Sequence, residues 1–357
     1  MLAEPKRPLN TKPAKNLKRG CVRVNPTRVD KPADTILPGR NVSNELGTEP
    51  PTSAPHEVPA QVTQDQFATF NQHRSLLFGV AYRMLGSVAD AEDMLQETFI
   101  RWQHLSPDGI QSPKAMLITI TTRLCINYLQ SARAMREEYF GEWLPEPILT
   151  APRDNPALSL EIDESVSLAF LLLLERLSPV ERAALLLRDV FDYAYSELAS
   201  ILDQSEANCR QILRRAHLHI QAATKRFDAS REQRAELLRR FSEASFKGDM
   251  EGLVALLAKD AVFYSDGGGK APALPKPIYG AATIARGVLE GLRRLVPRNL
   301  IRRHLDVNGK PGIVSYLDGR PFSVFSIEVS ENRISQIFVV TNPEKLKHLP
   351  QLKDLAS

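Results

Sequence analysis

The sequence predicts a multidomain chain: two all-α domains, the first a three-helix bundle and the second a helix-turn-helix, followed by a C-terminal α+β domain. Three observations predict it. Apolar residues recur at helical spacing, with short punctuated gaps, from about Thr63 to Asp228. Two closely spaced helices with a basic outer face lie between Tyr195 and Ile220. Beyond Leu257 the pattern changes to four strand-like runs, AVFYS, GIVSYL, FSVFSIEVS and RISQIFVV. Helices followed by a block of strands, expected to pair antiparallel, indicate an α+β domain.

The 357 residues suffice for two or three small domains, and 43% hydrophobic residues support packed cores. A net charge of +4 permits a nucleic-acid partner without requiring one. Cys21, Cys125 and Cys209 are far apart, which argues against a disulfide framework or metal site and fits a reducing compartment. Cys125 and Cys209 read as small packing residues. The most apolar run, Leu168 to Leu174, is far shorter than the ~18 residues of a membrane span. No signal-type segment opens the chain. A soluble cytoplasmic protein with no membrane partner is expected.

Residues 1–62 carry ten prolines and no helical or strand period, and their first half is rich in Lys and Arg. The segment lacks the apolar surface to offset its ordering entropy and reads as a disordered extension. It is either inert or a non-specific DNA contact. No methionine lies between Met1 and Met84, so a later start, such as Val62, would need a non-AUG codon.

The first domain spans 63–136. Phe67, Phe70, Leu77, Phe78, Ala81 and Leu85 share one helical stripe, and Gly86 ends it. Ser87, with Asp90 three residues on, opens a second helix like a capping box. Pro107, Asp108 and Gly109 form a turn. Ser112 and Pro113 start a third helix whose Leu117, Ile120, Leu124, Tyr128 and Ser131 point inward. Residues 137–161 are a proline-rich linker holding Tyr139, Phe140 and Trp143, and such aromatics imply docking. The second domain, 162–227, resumes helix at Ile162, restarts at Ser178–Pro179 and turns tightly at Asp203 and Gln204. The third, 230–347, begins with helices near Arg231 to Phe246 and Met250 to Leu257. It contains a hairpin turning at Glu331–Asn332, and residues 348–357 form a tail.

On the helix from Glu206, Cys209, Ile212, Leu213, Ala216 and Ile220 form the buried stripe. Asn208, Arg210, Gln211, Arg214 and Arg215 then face outward. Amides and guanidiniums on one face suit base edges and phosphates; a solvated basic helix is the plainer alternative. Upstream, Asp90, Glu92, Asp93 and Glu97 lead to Phe99 and Trp102. Carboxylates repel phosphates, so this face suits a basic protein surface. The helix bearing Lys114, Arg123, Asn127 and Arg133 suits nucleic acid. Its Tyr128 reads as core, with stacking on an unpaired base as the alternative.

DAEDMLQETFIRWQ resembles region 2 of the sigma-70 family, and SPVERAALLLRDVFDYAYSELASILDQSEANCRQILRRA resembles region 4. The resemblance spans about Gln66 to Arg226. Only a linker separates the two, as in the extracytoplasmic-function group. Three further motifs, WLPEP (Trp143, Leu144, Pro145, Glu146, Pro147), DGGGK (Asp266, Gly267, Gly268, Gly269, Lys270) and NPEKL (Asn342, Pro343, Glu344, Lys345, Leu346), look like those of the SigJ-type subgroup with a fused, cone-shaped SnoaL-like domain. Glu344 stands where that subgroup usually has Asp. Asp203 stands where region 4 often has Gly, and Asp tolerates the left-handed backbone better than most residues. The resemblance implies that Asp90, Glu92, Asp93, Gln96, Glu97, Phe99 and Trp102 bind core RNA polymerase. It implies that Arg123, Asn127 and Arg133 melt and read the −10 element. It assigns the −35 element to Ser205, Glu206, Asn208, Arg210, Arg214 and Arg215, with Asn208 and Arg210 the better candidates for base discrimination. Promoter DNA is then the second partner. The resemblance also implies an intramolecular contact between WLPEP and the other two motifs.

No catalytic constellation, metal set or cofactor motif is read in the sigma-like portion. DGGGK lacks P-loop spacing and reads as a flexible contact loop. Relatives of the C-terminal fold include enzymes, for which Asp260, Asp266, His304 and Asp306 would be the acid/base candidates; a regulatory domain without catalysis is preferred. Two other readings stand beside the sigma factor. One is a helix-turn-helix regulator with a small-molecule-binding C-terminal domain, which the acidic segment ending in Trp102 argues against. The other is a metabolic enzyme, which a polar cavity at Asp266 and His304 would favour.

Overall fold

Helix α1 (Gln64–Leu85) ends where Gly86 takes a left-handed φ of 67°. It packs on α2 (Val88–Gln103) and α3 (Pro113–Glu137) as a three-helix bundle. The computed structural model describes residues 64–106, 109–137, 139–150, 166–221 and 229–355. The extension 1–62, Pro107 and Asp108, the linker beyond Thr150, the helix start at Ile162, residues 222–228 and the side chain of Arg133 lie outside the described residues. Two details of the expected apolar stripes differ. Phe67 is 52% exposed at the rim of the bundle. On α3, Ile118, Thr121, Thr122 and Cys125 are buried with Leu117 and Leu124, while Ser131 is exposed and Ile120 half-buried. The stripe is wider than expected because α3 packs on α1 and α2 along one side and on the second helical domain along the other.

That second domain holds α4 (Leu168–Leu174), α5 (Pro179–Leu185) with a π-helical turn (Leu186–Val190), α6 (Tyr195–Leu202) and α7 (Glu206–Gln221). Ser178 and Glu181 form a full capping box on α5. Asp203 ends α6 with φ 55° and ψ 50°, the left-handed turn expected there. Buried residues of both helical domains, from Phe70 to Ala216, form one continuous core. Arg182, 3% exposed, reinforces it: its guanidinium donates to the Met84 carbonyl at 2.6 Å and to Glu175 at 2.7 Å.

The C-terminal domain opens with α8 (Arg231–Lys247) and α9 (Met250–Leu256). Strands β1 (Leu257–Asp266), β2 (Ile278–Tyr279), β3 (Ile301–Val307), β4 (Lys310–Leu317), β5 (Arg320–Ser330) and β6 (Arg333–Val340) form a sheet of order β2-β1-β6-β5-β4-β3. The sheet is mixed, not antiparallel throughout, because β1 pairs parallel with β6. Helix α10 (Ala281–Arg294), not anticipated from the sequence, packs on β1. The hairpin turn at Glu331–Asn332 has both residues at positive φ, as a type I′ turn requires. One face of the sheet (Ile313, Ile327, Ile337) packs against α8 to α10. The other (Val314, Tyr316, Val324, Phe338, Val340) packs against Leu144, Leu168 and Ala169 of the preceding domains. Both faces are therefore covered, which explains runs such as IFVV that alternate little. The expected tail is docked: after α11 (Pro343–Leu346), Leu349 is buried and a 3-10 turn (Leu352–Leu355) packs on that same cluster.

Candidate functional site: two outer helical faces and a buried junction

The acidic helix α2 is capped by Ser87, which accepts from the Asp90 amide at 3.2 Å. The reciprocal half of the box comes not from Asp90 but from the linker. Glu146 accepts from the Val88 amide at 2.7 Å and from the Ser87 hydroxyl at 3.0 Å, placing a carboxylate at the positive end of α2. Asp93 and Gln96 are exposed, and Asp90, Glu92 and Glu97 are half-buried. Glu92 pairs with Arg74 at 2.5 Å and Glu97 with Arg101 at 2.8 Å. Trp102 is not an exposed contact. It is 3% exposed, and its indole N–H donates to the Gln66 carbonyl at 3.0 Å. Phe99 is half-buried against Phe70, with ring centroids 4.8 Å apart. The aromatic pair shapes α2 from below while the polar side chains form its outer face.

On α3, Asn127 points to solvent, and Tyr128 is half-buried against the core. Arg123 reaches the helix-turn-helix instead, donating to the carbonyls of Ile201 at 2.9 Å and Ser200 at 3.1 Å. These are last-turn carbonyls of α6 that lack a helical partner. On α7, Cys209, Ile212, Leu213 and Ala216 are buried, and Ile220 is half-buried. Glu206, Arg210, Gln211, Arg214 and Arg215 are exposed and Asn208 half-buried. Ser205 caps this helix, accepting from the Asn208 amide at 3.2 Å. Arg210 lies over the Tyr195 ring at 4.6 Å and pairs with Glu206 at 2.8 Å. Arg215 lies 3.7 Å from Glu181.

WLPEP, DGGGK and NPEKL meet at Asp266, which is fully buried at the end of β1. Its Oδ1 accepts from the Tyr139 hydroxyl at 2.6 Å and the Gly268 amide at 3.0 Å. Its Oδ2 accepts from the Leu144 amide at 2.8 Å and from Lys345 Nζ at 2.7 Å. Lys345 also donates to the Leu144 carbonyl, with the Trp143 ring 4.2 Å and the Tyr139 ring 5.1 Å from its ammonium. Asn342 caps α11 and donates to the Tyr139 hydroxyl at 2.9 Å. Burial, and then the Asp266 carboxylate, hold the Tyr139 phenol protonated well beyond its usual range. Gly268 has φ 57°, and a Cβ there would lie 2.2 Å from Asn342. Gly269 faces Phe140, and a Cβ on Gly267 would strike the Ala271 carbonyl. Lys270 and Glu344 form an exposed pair at 3.4 Å. Leu346 is buried, and the Pro147 carbonyl lies 2.8 Å from a ring nitrogen of His348. Pro145 approaches Gly86, where a Cβ would strike the Trp143 ring.

A second node was not anticipated. Asn308, in the β3–β4 turn and 1% exposed, donates to the Tyr82 hydroxyl at 2.7 Å and the Val166 carbonyl at 2.8 Å, and accepts from the Ile148 amide at 3.1 Å. It thus joins α1, the linker and the chain entering α4. Leu149 bridges to Val307, so the linker adds to the free edge of β3. The Asn308–Gly309 pair, a strong hairpin-turn signal, was the clue available in the sequence.

Inside the C-terminal domain a cavity of about 520 Å³ is lined mainly by apolar side chains and hydroxyls. Asp260, Asp266, His304 and Asp306 do not line it. Asp306 instead pairs with Arg231 at 2.8 Å. No cluster of three or more metal-ligating side chains occurs among the described residues, and none of their helices is long and apolar enough to cross a membrane.

Models of sigma-70 region 2 and sigma-70 region 4 match residues 69–135 and 167–220. The chain is 34% identical over 297 residues to the ECF RNA polymerase sigma factor SigJ of Mycobacterium tuberculosis (strain ATCC 25618 / H37Rv), covering 80% of this chain and 93% of that one. It is 28% identical over 295 residues to the probable ECF RNA polymerase sigma factor SigI of the same strain, covering 79% and 95%. The crystal structure of M. tuberculosis extracytoplasmic function sigma factor SigJ superposes with a TM-score of 0.64 at 31% identity, over 79% of this chain and 98% of that one.

Proposed function

Because this chain belongs to the extracytoplasmic-function group of the sigma-70 family of RNA polymerase sigma factors, we propose that its C-terminal domain regulates initiation by holding the two promoter-reading modules closed. Like other sigma factors it binds core RNA polymerase and promoter DNA, and its kinship points to a transcription factor and not an enzyme. A cytoplasmic location follows from those partners. The polar face of α2, from Asp90 to Glu97, is the core-binding surface. Arg123, Asn127 and Arg133 serve the −10 element. Asn208 and Arg210 discriminate bases at −35, with Arg214 and Arg215 on phosphates.

Distance is the physical reason the closed state must open. Elements at −10 and −35 lie roughly 25 base pairs apart, or about 85 Å at ~3.4 Å per pair. In the closed state α3 and α6 touch through Arg123. The 29 residues from 138 to 166 reach at most about 100 Å when extended, at ~3.3–3.6 Å each. They span the gap only if Tyr139 to Thr150 leaves the C-terminal domain. One observation carries this reading: the linker peptide at Leu144 is gripped on both sides, its N–H by Asp266 and its carbonyl by Lys345.

The test is transcription from genomic fragments by purified core polymerase, with the full-length chain and with a truncation ending near Phe227. Specific transcripts whose level differs between the two forms are the expected result, and the direction of the difference gives the sign of regulation. Identical transcript levels would remove the regulatory role.

A further inference from the structure

The C-terminal cavity shares its wall with the junction. At the end of β1, Ser265 lines the cavity while Asp266 turns into the junction. After β6, Thr341 lines the cavity and Asn342 turns the other way. The segment from Ala271 to Leu274, directly after DGGGK, also lines the cavity. It is tied to those same positions: the Leu274 amide donates to Ser265 Oγ at 2.8 Å, and Thr341 Oγ1 donates to the Pro272 carbonyl at 3.2 Å.

The lining chemistry defines an occupant. The volume falls in the ~300–1,000 Å³ range of small-molecule sites. The wall is apolar with scattered hydroxyls, and Arg302 is its one charged side chain; no carboxylate, histidine or cysteine lines it. The Arg302 guanidinium lies 4.5 Å over the Phe246 ring, and no ion pair joins it to a carboxylate among the described residues. Phe246, Leu274 and Leu295 expose apolar surface on the same lining. A half-buried cation without a counter-ion, on an apolar wall, calls for a ligand that supplies the anion.

We infer that this cavity binds an acidic amphiphile, a molecule with an apolar body and one carboxylate that meets Arg302, and that occupancy is transmitted through the shared Ser265–Thr341 wall to the Asp266 junction. The transmission rests on the closed-state reading above; the binding site does not. No covalent step is involved, since the lining supplies no acid–base pair.

The test titrates the full-length chain calorimetrically with dodecanoate and with dodecanol, both below aggregation, and follows hydrogen exchange at the Leu144 amide. Dodecanoate is expected to bind about tenfold more tightly than dodecanol, the worth of a hydrogen bond to a charged group. Arg302→Gln should bring the two ligands level. Gly291→Phe should abolish binding of both, because Gly291 lines the cavity and a Cβ there meets nothing within 4 Å, and an unchanged unfolding midpoint checks that the fold is kept. Dodecanoate should change Leu144 exchange several-fold, and Gly291→Phe should remove that change. Binding that survives Gly291→Phe, no binding, or equal affinity for the two ligands overturns the site. Binding with Leu144 exchange unmoved overturns the transmission. Identical transcription by full-length and truncated chains would defeat the closed-state reading while leaving the titration standing.

Discussion

Two carboxylates of the same sheet are buried, and they do different work. Glu328, 2% exposed on β5, is bracketed by Arg234 at 2.7 Å and Lys310 at 2.7 Å, both from its own domain. Asp266, equally buried at the end of β1, shares Lys345 with a peptide and a phenol from the linker. Burying such charges contributes little net stability, but removing one partner is costly because the other is left uncompensated. At Glu328 that rule makes the domain a unit. At Asp266 it makes the attachment of the linker close to all-or-none, since half a junction leaves a buried charge unmatched. The same chemistry therefore serves folding in one place and docking in the other, according to whose residues complete the shell.

The largest effect should come from Glu328→Gln, which removes the counter-charge shared by two buried cations. It should destabilise the C-terminal domain by about 3–5 kcal/mol, read by denaturant unfolding of the full chain. Next is Asp266→Asn, which removes the counter-charge of Lys345 and weakens the shell around the Leu144 peptide. A loss of similar order, about 3 kcal/mol, should be confined to the junction. Hydrogen exchange should rise at Leu144 and leave the amides of α8 and β5 protected. If Asp266→Asn loosens α8 as Glu328→Gln does, the distinction between the two carboxylates disappears. A pair of glycine substitutions sharpens it. Gly268→Ala and Gly319→Ala both force a left-handed φ, 57° and 79°, which costs about 1–2 kcal/mol. Only at Gly268 does the new Cβ also strike Asn342, whereas at Gly319 nothing lies within 4 Å. Gly268→Ala should therefore release the linker, measured by exchange at Leu144, and Gly319→Ala should not. The smallest effect is expected far from both carboxylates. Asp203→Gly relieves a left-handed residue at the helix-turn-helix and should raise stability by at most about 1 kcal/mol in thermal unfolding.

Much of this was legible in the chain. The left-handed turn at Asp203, the Ser205 cap, the buried Cys209–Ala216 stripe and the Glu331–Asn332 hairpin follow from local propensity and period, and the structure has them. The surroundings that sequence does not show share a cause. Trp102 resembles a surface residue at the end of an acidic helix, yet Gln66, distant in sequence, buries it. Arg123 has the look of a free DNA contact, yet α6 supplies it with carbonyls. Asn308–Gly309 signals a hairpin, yet β3 before it is basic, and its apolar content is too low to mark it as a strand.

By itself, then, the sequence determined the order of domains, the helix-turn-helix, the sigma-70 regions and the three motifs, because each is written in periodicity, caps and turns over a few residues. Only the tertiary structure decided that the sheet is mixed, that both its faces are covered, and that Tyr139, Leu144 and Lys345 close around Asp266 while Asn308 holds α1. Those contacts join residues from about 80 to more than 200 positions apart. What selects them is the cost of leaving a buried carboxylate, ammonium or amide without a partner, and that cost has no period along the chain.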